Sequence, residues 1–199
     1  MSDERVHPVT PGAEQAVVDH LVAPTRPPRP DPQPAPHSGR WMSRVGRDGG
    51  PGADPATIEF LRSRTFPTGQ MHAVTYATTA GRQIDAVIRT WQNEDASWVV
   101  APVGGGSGRD PQRSSPWVNF TAGWSARSFF AGGHVIGTGA EPARTVRLTF
   151  ACGTVIDDVI GHGMVLFWCA PGVELPARVE ILDATDRMIA SYDEFIEFV

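Results

Sequence analysis

Val146-Arg147-Leu148-Thr149-Phe150 sets three apolar side chains against two polar ones in strict alternation, the pattern of a β-strand with one buried face. Working outward, Cys152-Gly153 reads as a turn into Val155 to Ile160. Gly161-His162-Gly163 then turns the chain into the continuous apolar run Met164 to Cys169. Val179 and Ile181 alternate with Arg178 and Glu180, and Arg187 to Tyr192 follows as a last strand. Upstream, Val118, Phe120, Ala122 and Trp124 alternate with Asn119 and Thr121, and Phe129 to Ile136 is a strand interrupted by Gly132-Gly133. His72 to Thr78, Gln83 to Gln92 and Ser97 to Val103 complete the set, with Trp91 and Trp98 expected to meet across the turn between them.

Short strands separated by turn signals every roughly 8–12 residues are the cue for a sandwich or barrel. Connections this short hold no crossover helices, so the pairing must be antiparallel. The expected fold is therefore mainly β. It is an antiparallel sandwich, immunoglobulin-like in style but without the Cys…Trp…Cys spacing, over residues 55–199, with 125–140 the place where it could divide. Val146, Leu148, Phe150, Leu166, Trp168, Val179 and Ile181 are its expected core. One short leading helix is expected to start at Asp54-Pro55, where Asp caps the first turn and Pro suits it. That helix would bury Ile58, Phe60 and Leu61 and stop before Pro67.

Residues 1–54 differ in kind. Eleven of the 18 prolines fall in the first 55 residues, and Ala23 to His37 reads APTRPPRPDPQPAPH, a density that excludes helix and favours extended polyproline II. Residues 38–54 are glycine-rich. A short helix could form over 11–22, with Val17, Val18 and Leu21 on one stripe, marginal by itself at that length. The rest of 1–54 reads as a disordered arm dispensable for folding. Its Thr25-Arg26-Pro27-Pro28-Arg29-Pro30 has the composition of groove-binding polyproline ligands, which makes Arg26, Arg29 and Trp41 the candidate partner contacts.

Charge and composition exclude several functions. The chain has 199 residues and net charge −5, so it lacks the basic footprint of a nucleic-acid binder. All 17 basic residues are arginine. No apolar run approaches the roughly 18–20 residues of a membrane helix, and Met1 to Pro11 has no signal-peptide core, so the expected setting is the cytoplasm. Two cysteines do not make a disulfide framework.

No constellation of catalytic residues emerges. Val103-Gly104-Gly105-Gly106-Ser107-Gly108-Arg109 lacks the lysine of a P-loop and has no helix after it. Arg109 and Arg113 remain a candidate anion-binding pair, and a small-ligand or enzyme site near the Gly104–Pro116 loop is the alternative reading. Cys152 and His162 fall at opposite ends of one strand, so His134, Cys152, His162 and Cys169 are not expected to form one metal site. No metal and no cofactor are expected. Ser107 has no defined base and orienting acid, and Asp157 and Asp158 face opposite sides of a strand and cannot work as a pair. The tail from Tyr192 to Val199 is either a closing element or a docking segment with Phe195 and Phe198 as anchors. The leading expectation is a non-catalytic binding or accessory module that engages a protein partner through its arm or a sheet face.

Overall fold

A computed structural model describes residues 12–23, 52–106, 114–125, 128–169 and 176–193. The chain divides into two compact units, Met1–Ser107 and Gly108–Val199. Among the described residues it is mainly β, with antiparallel sheets and one α-helix.

The first unit is a four-stranded antiparallel meander, β1 (Glu59–Phe66), β2 (Gly69–Ala77), β3 (Gln83–Gln92) and β4 (Trp98–Gly106), paired in chain order. The single helix, α1 (Ala13–Val22), packs on one face of it. Ala13 and Val17, one helical turn apart, are fully buried, and Val17 joins Ala53, Val74, Tyr76, Ala86 and Ile88 in the core. A ten-residue helix is marginal alone, so the sheet supplies most of what holds it. The helix begins at Gly12, whose φ of +94° and position against Trp98 leave no room for a side chain. Its end is fastened too: the Ala53 amide donates to the Leu21 carbonyl at 3.0 Å. On the other side, Asp54 and Thr79 amides donate to Ala77 and Gly52 carbonyls. Ala13, Val17 and Ala53 therefore belong to the buried interior of this unit, and the segment 1–54 is not wholly outside the fold.

The leading helix expected over 55–66 is replaced by one 3-10 turn, Pro55–Thr57, followed by β1. Asp54 does cap, its Oδ1 accepting from the Ala56 amide at 3.0 Å. The Thr57 hydroxyl, however, accepts from the Ala77 amide at 2.9 Å and so draws the chain alongside the end of β2. From Glu59 on, pairing with β2 satisfies the backbone, and alternation carries Phe60, Ser63 and Thr65 to the helix-covered face after a register shift between Phe60 and Arg62. The β1–β2 turn needs glycine. Gly69 has φ +136°, and a Cβ there would lie 2.2 Å from the Thr90 carbonyl oxygen. The register also corrects the tryptophan pair: Trp91 stands opposite Val99 and Trp98 opposite Gln92, which puts the two indoles on opposite faces. Trp91 instead lies beneath the Arg89 guanidinium, 5.0 Å from its ring.

The second unit holds two sheets that share one core. One is β5 (Trp117–Ser125), β6 (Ser128–Ile136) and β9 (Met164–Cys169). The other, in spatial order, is β11 (Met188–Tyr192), β10 (Pro176–Asp183), β7 (Ala143–Phe150) and β8 (Val155–Val159). Val118, Phe129, Ala131, Val165 and Phe167 of the first face Val146, Leu148, Phe150, Val179 and Ile181 of the second. This three-plus-four division is consistent with an immunoglobulin-like sandwich. Of the expected core, all but Trp168 are buried; Trp168 is half-buried because β9 turns Val165, Phe167 and Cys169 inward instead. Two contacts tie strands of different sheets together. The Val118 amide donates to the Tyr192 hydroxyl at 3.0 Å while Tyr192 stacks on Trp117 at 3.9 Å. Asp158, only 2% exposed, accepts the Leu166 amide of β9 on its carboxylate at 2.6 Å.

Candidate functional site

One end of the first unit's helix-covered face is polar. Antiparallel register sets Ser63 opposite His72, and Thr65 opposite Gln70, which in turn stands opposite Thr90. With a period of two, all five side chains share one face. The His72 ring is fully buried, with Ser63 Oγ 2.9 Å from Nδ1, Thr90 Oγ1 3.1 Å from Nε2, and Phe60 edge-on at 5.7 Å. A neutral imidazole has one donor and one acceptor, and a hydroxyl serves either, so both ring nitrogens are satisfied in either tautomer. Burial pushes the His72 pKa down to about 4.

The neighbouring row is not satisfied. Gln70 is 2% exposed, and its Oε1 has no hydrogen-bond partner among the described residues. The same holds for Thr65 Oγ1. Each buried polar atom left unpaired costs about 1–3 kcal/mol. Together the five side chains form an uncharged polar patch in which Gln70, His72 and Thr90 are buried and Ser63 and Thr65 half-buried.

Chemically, the patch holds an imidazole whose basicity is reduced by burial. Ser63 and His72 have the spacing of a nucleophile and its base. A general base works best with its pKa near the working pH, and His72 lies well below neutrality. Thr90, a hydroxyl, occupies the position where an orienting carboxylate would stand. The arrangement holds the imidazole between two hydroxyls.

Arg26, Arg29, Trp41, Arg109, Arg113, Ser107, Phe195 and Phe198 lie outside the described residues. The remaining candidates are dispersed. His134 sits in β6, paired with Asn119 and Met164, whereas His162 is exposed in the β8–β9 turn at φ +51°. Cys152 is exposed with its thiol donating to Thr154 Oγ1 at 3.2 Å, and Cys169 is buried; neither is in a disulfide. No group of three or more metal-ligating side chains occurs among the described residues. Asp157 and Asp158 do face opposite ways: Asp157 pairs with Arg147 at 2.8 Å on the exposed face, and Asp158 points inward. No helix among the described residues is long and apolar enough to cross a membrane.

His72, Ser63, Thr65, Gln70 and Thr90 were not among the residues singled out from the sequence. A signal for them exists in the alternation Ser63-x-Thr65 and Gln70-x-His72, but polar residues at alternate positions read as a solvated face until the register is known. Comparison of the chain with family models, with curated proteins and with solved structures finds no match.

Proposed function

We propose that the chain is a cytoplasmic, non-catalytic binding module that engages a protein partner through the Pro/Arg-rich stretch 24–51, with Arg26, Arg29 and Trp41 as the contacts. The observation that carries this reading is the hydrogen bond from the Ala53 amide to the Leu21 carbonyl. It fastens the two ends of the stretch side by side: Gly52 lies against the carbonyls of Leu21, Val22 and Ala23. A recognition sequence held at both ends loses less freedom on binding than a free tail. Polyproline composition lowers that loss further and suits an aromatic-lined groove. The weak basicity of His72 supports the non-catalytic part of the reading.

The test compares three full-length proteins as baits in lysate of the native host: the natural chain, one with residues 24–51 replaced by a Gly/Ser linker of equal length, and one carrying Arg26→Ala with Arg29→Ala. Thermal unfolding of each establishes that the fold is retained. A partner recovered by the natural chain and lost, or reduced at least several-fold, with both variants supports the proposal. Equal recovery by all three overturns it.

A further inference from the structure

We infer that β1 is an acid-sensitive edge of the first unit, and that the buried Ser63–His72–Thr90 cluster is what senses the proton. Three features of the fold converge on this strand. β1 pairs only with β2, and none of its residues is fully buried, so it is an edge strand beside a buried partner. Its register already slips between Phe60 and Arg62. It also supplies Ser63, which closes over the imidazole.

Beside that contact lie Thr65 Oγ1 and Gln70 Oε1, both buried without partners. Moving β1 away from β2 gives each of them a water to bond. Opening at this edge therefore gives these two atoms the hydrogen bonds that the closed edge denies them.

A proton drives the same movement. Both neighbouring hydroxyls can accept from an imidazolium, so hydrogen bonding alone does not keep the ring neutral. What disfavours the charge is burial on a face without a counter-ion. Arg62, Arg64 and Arg89, Glu59 and Asp85 alternate onto the opposite face. Among the described residues, the titratable groups on the shared face or on the helix packed against it are Tyr76, Glu14, Asp19 and His20. Burial raises the Tyr76 phenol, which keeps it neutral, and the three helix side chains are exposed.

Closed, His72 takes a proton only near pH 4. Released to water, it does so near its ordinary value of about 6.5. The closed form thus has its full advantage above pH 6.5, loses it progressively as the pH falls toward 4, and changes little through this group below that. Between pH 7.5 and pH 5.0 the open population rises on the order of thirtyfold.

Native-state amide hydrogen exchange of the full chain, corrected for the intrinsic pH dependence of exchange, reads this directly. Protection of the β1–β2 amides is expected to fall on the order of thirtyfold over that interval, while the β3–β4 amides change much less. His72→Gln, which keeps hydrogen-bonding capacity but has no proton to gain, should abolish the fall. Unchanged β1 protection, an equal fall across β3–β4, or a fall that persists in H72Q overturns the inference. Should H72Q not fold, NMR titration of the His72 ring in the natural chain decides. A ring midpoint below pH 5 together with the fall in β1 protection supports the inference, and a midpoint near 6.5 overturns it.

Discussion

His72 and Asp158 are both ionisable side chains withdrawn from water, and the two units use them in opposite ways. In the second unit, Asp158 reaches from β8 to the backbone of β9, so a buried carboxylate fastens a strand at the edge of one sheet to a strand of the other. In the first unit, His72 is hemmed in by hydroxyls, and the edge strand above it also covers two polar atoms without partners. Buried polarity does not by itself strengthen a fold. It does so when the partner group is a backbone amide that would otherwise be unbonded, and it loosens the fold when partners are missing.

The largest effect that bears on this contrast is in the sandwich core. Leu148 is fully buried where two apolar faces meet, and Leu148→Ala should lower the unfolding free energy by about 2–5 kcal/mol. Urea denaturation measures it, and a loss under about 1 kcal/mol would mean that the second unit does not depend on its apolar core. Asp158→Ala comes next. It leaves the Leu166 amide without its acceptor, which should cost about 1–3 kcal/mol, with faster exchange at the Leu166 amide as the local signature. If Leu166 exchange is unaltered, Asp158 is not the fastener and the contrast with His72 fails. Smallest, and opposite in sign, is Thr65→Val. Exchanging an unpaired hydroxyl for a methyl of the same shape should be neutral or stabilising by up to about 1 kcal/mol. A clear destabilisation in the same denaturation assay would show that Thr65 is satisfied after all.

Much of this architecture was legible in the sequence where one periodicity had no competitor. Val146, Leu148 and Phe150 alternate with charged and hydroxyl residues, and both their burial and their antiparallel pairing follow. The same reasoning separated Asp157 from Asp158. It failed at Asp54 to Phe66, where a sound capping signal preceded residues that do better in a sheet. The cap was local, but the acceptor at Thr57 and the partner strand were not. It also misjudged Trp91 and Trp98, because facing across a turn depends on register by one residue, and the register here offsets them. The polar patch was hidden for a related reason. Ser63, Thr65, Gln70, His72 and Thr90 come from three strands and acquire their meaning only when the register of those strands sets them on one face.

The hydrogen bond between Ala53 and Leu21 has a consequence for how this molecule can vary. Once two points of a chain are fastened together, the free energy of the span between them depends on its length only logarithmically, about 0.6 kcal/mol for each doubling. Insertions or deletions placed between Ala23 and Gly52 should leave the Ala53–Leu21 bond and the contacts of helix and sheet in place. A chain break there would leave residues 12–23 held to the sheet by side-chain packing and by the Ala53–Leu21 hydrogen bond, which makes the position a natural point for splitting the protein into two reassembling fragments.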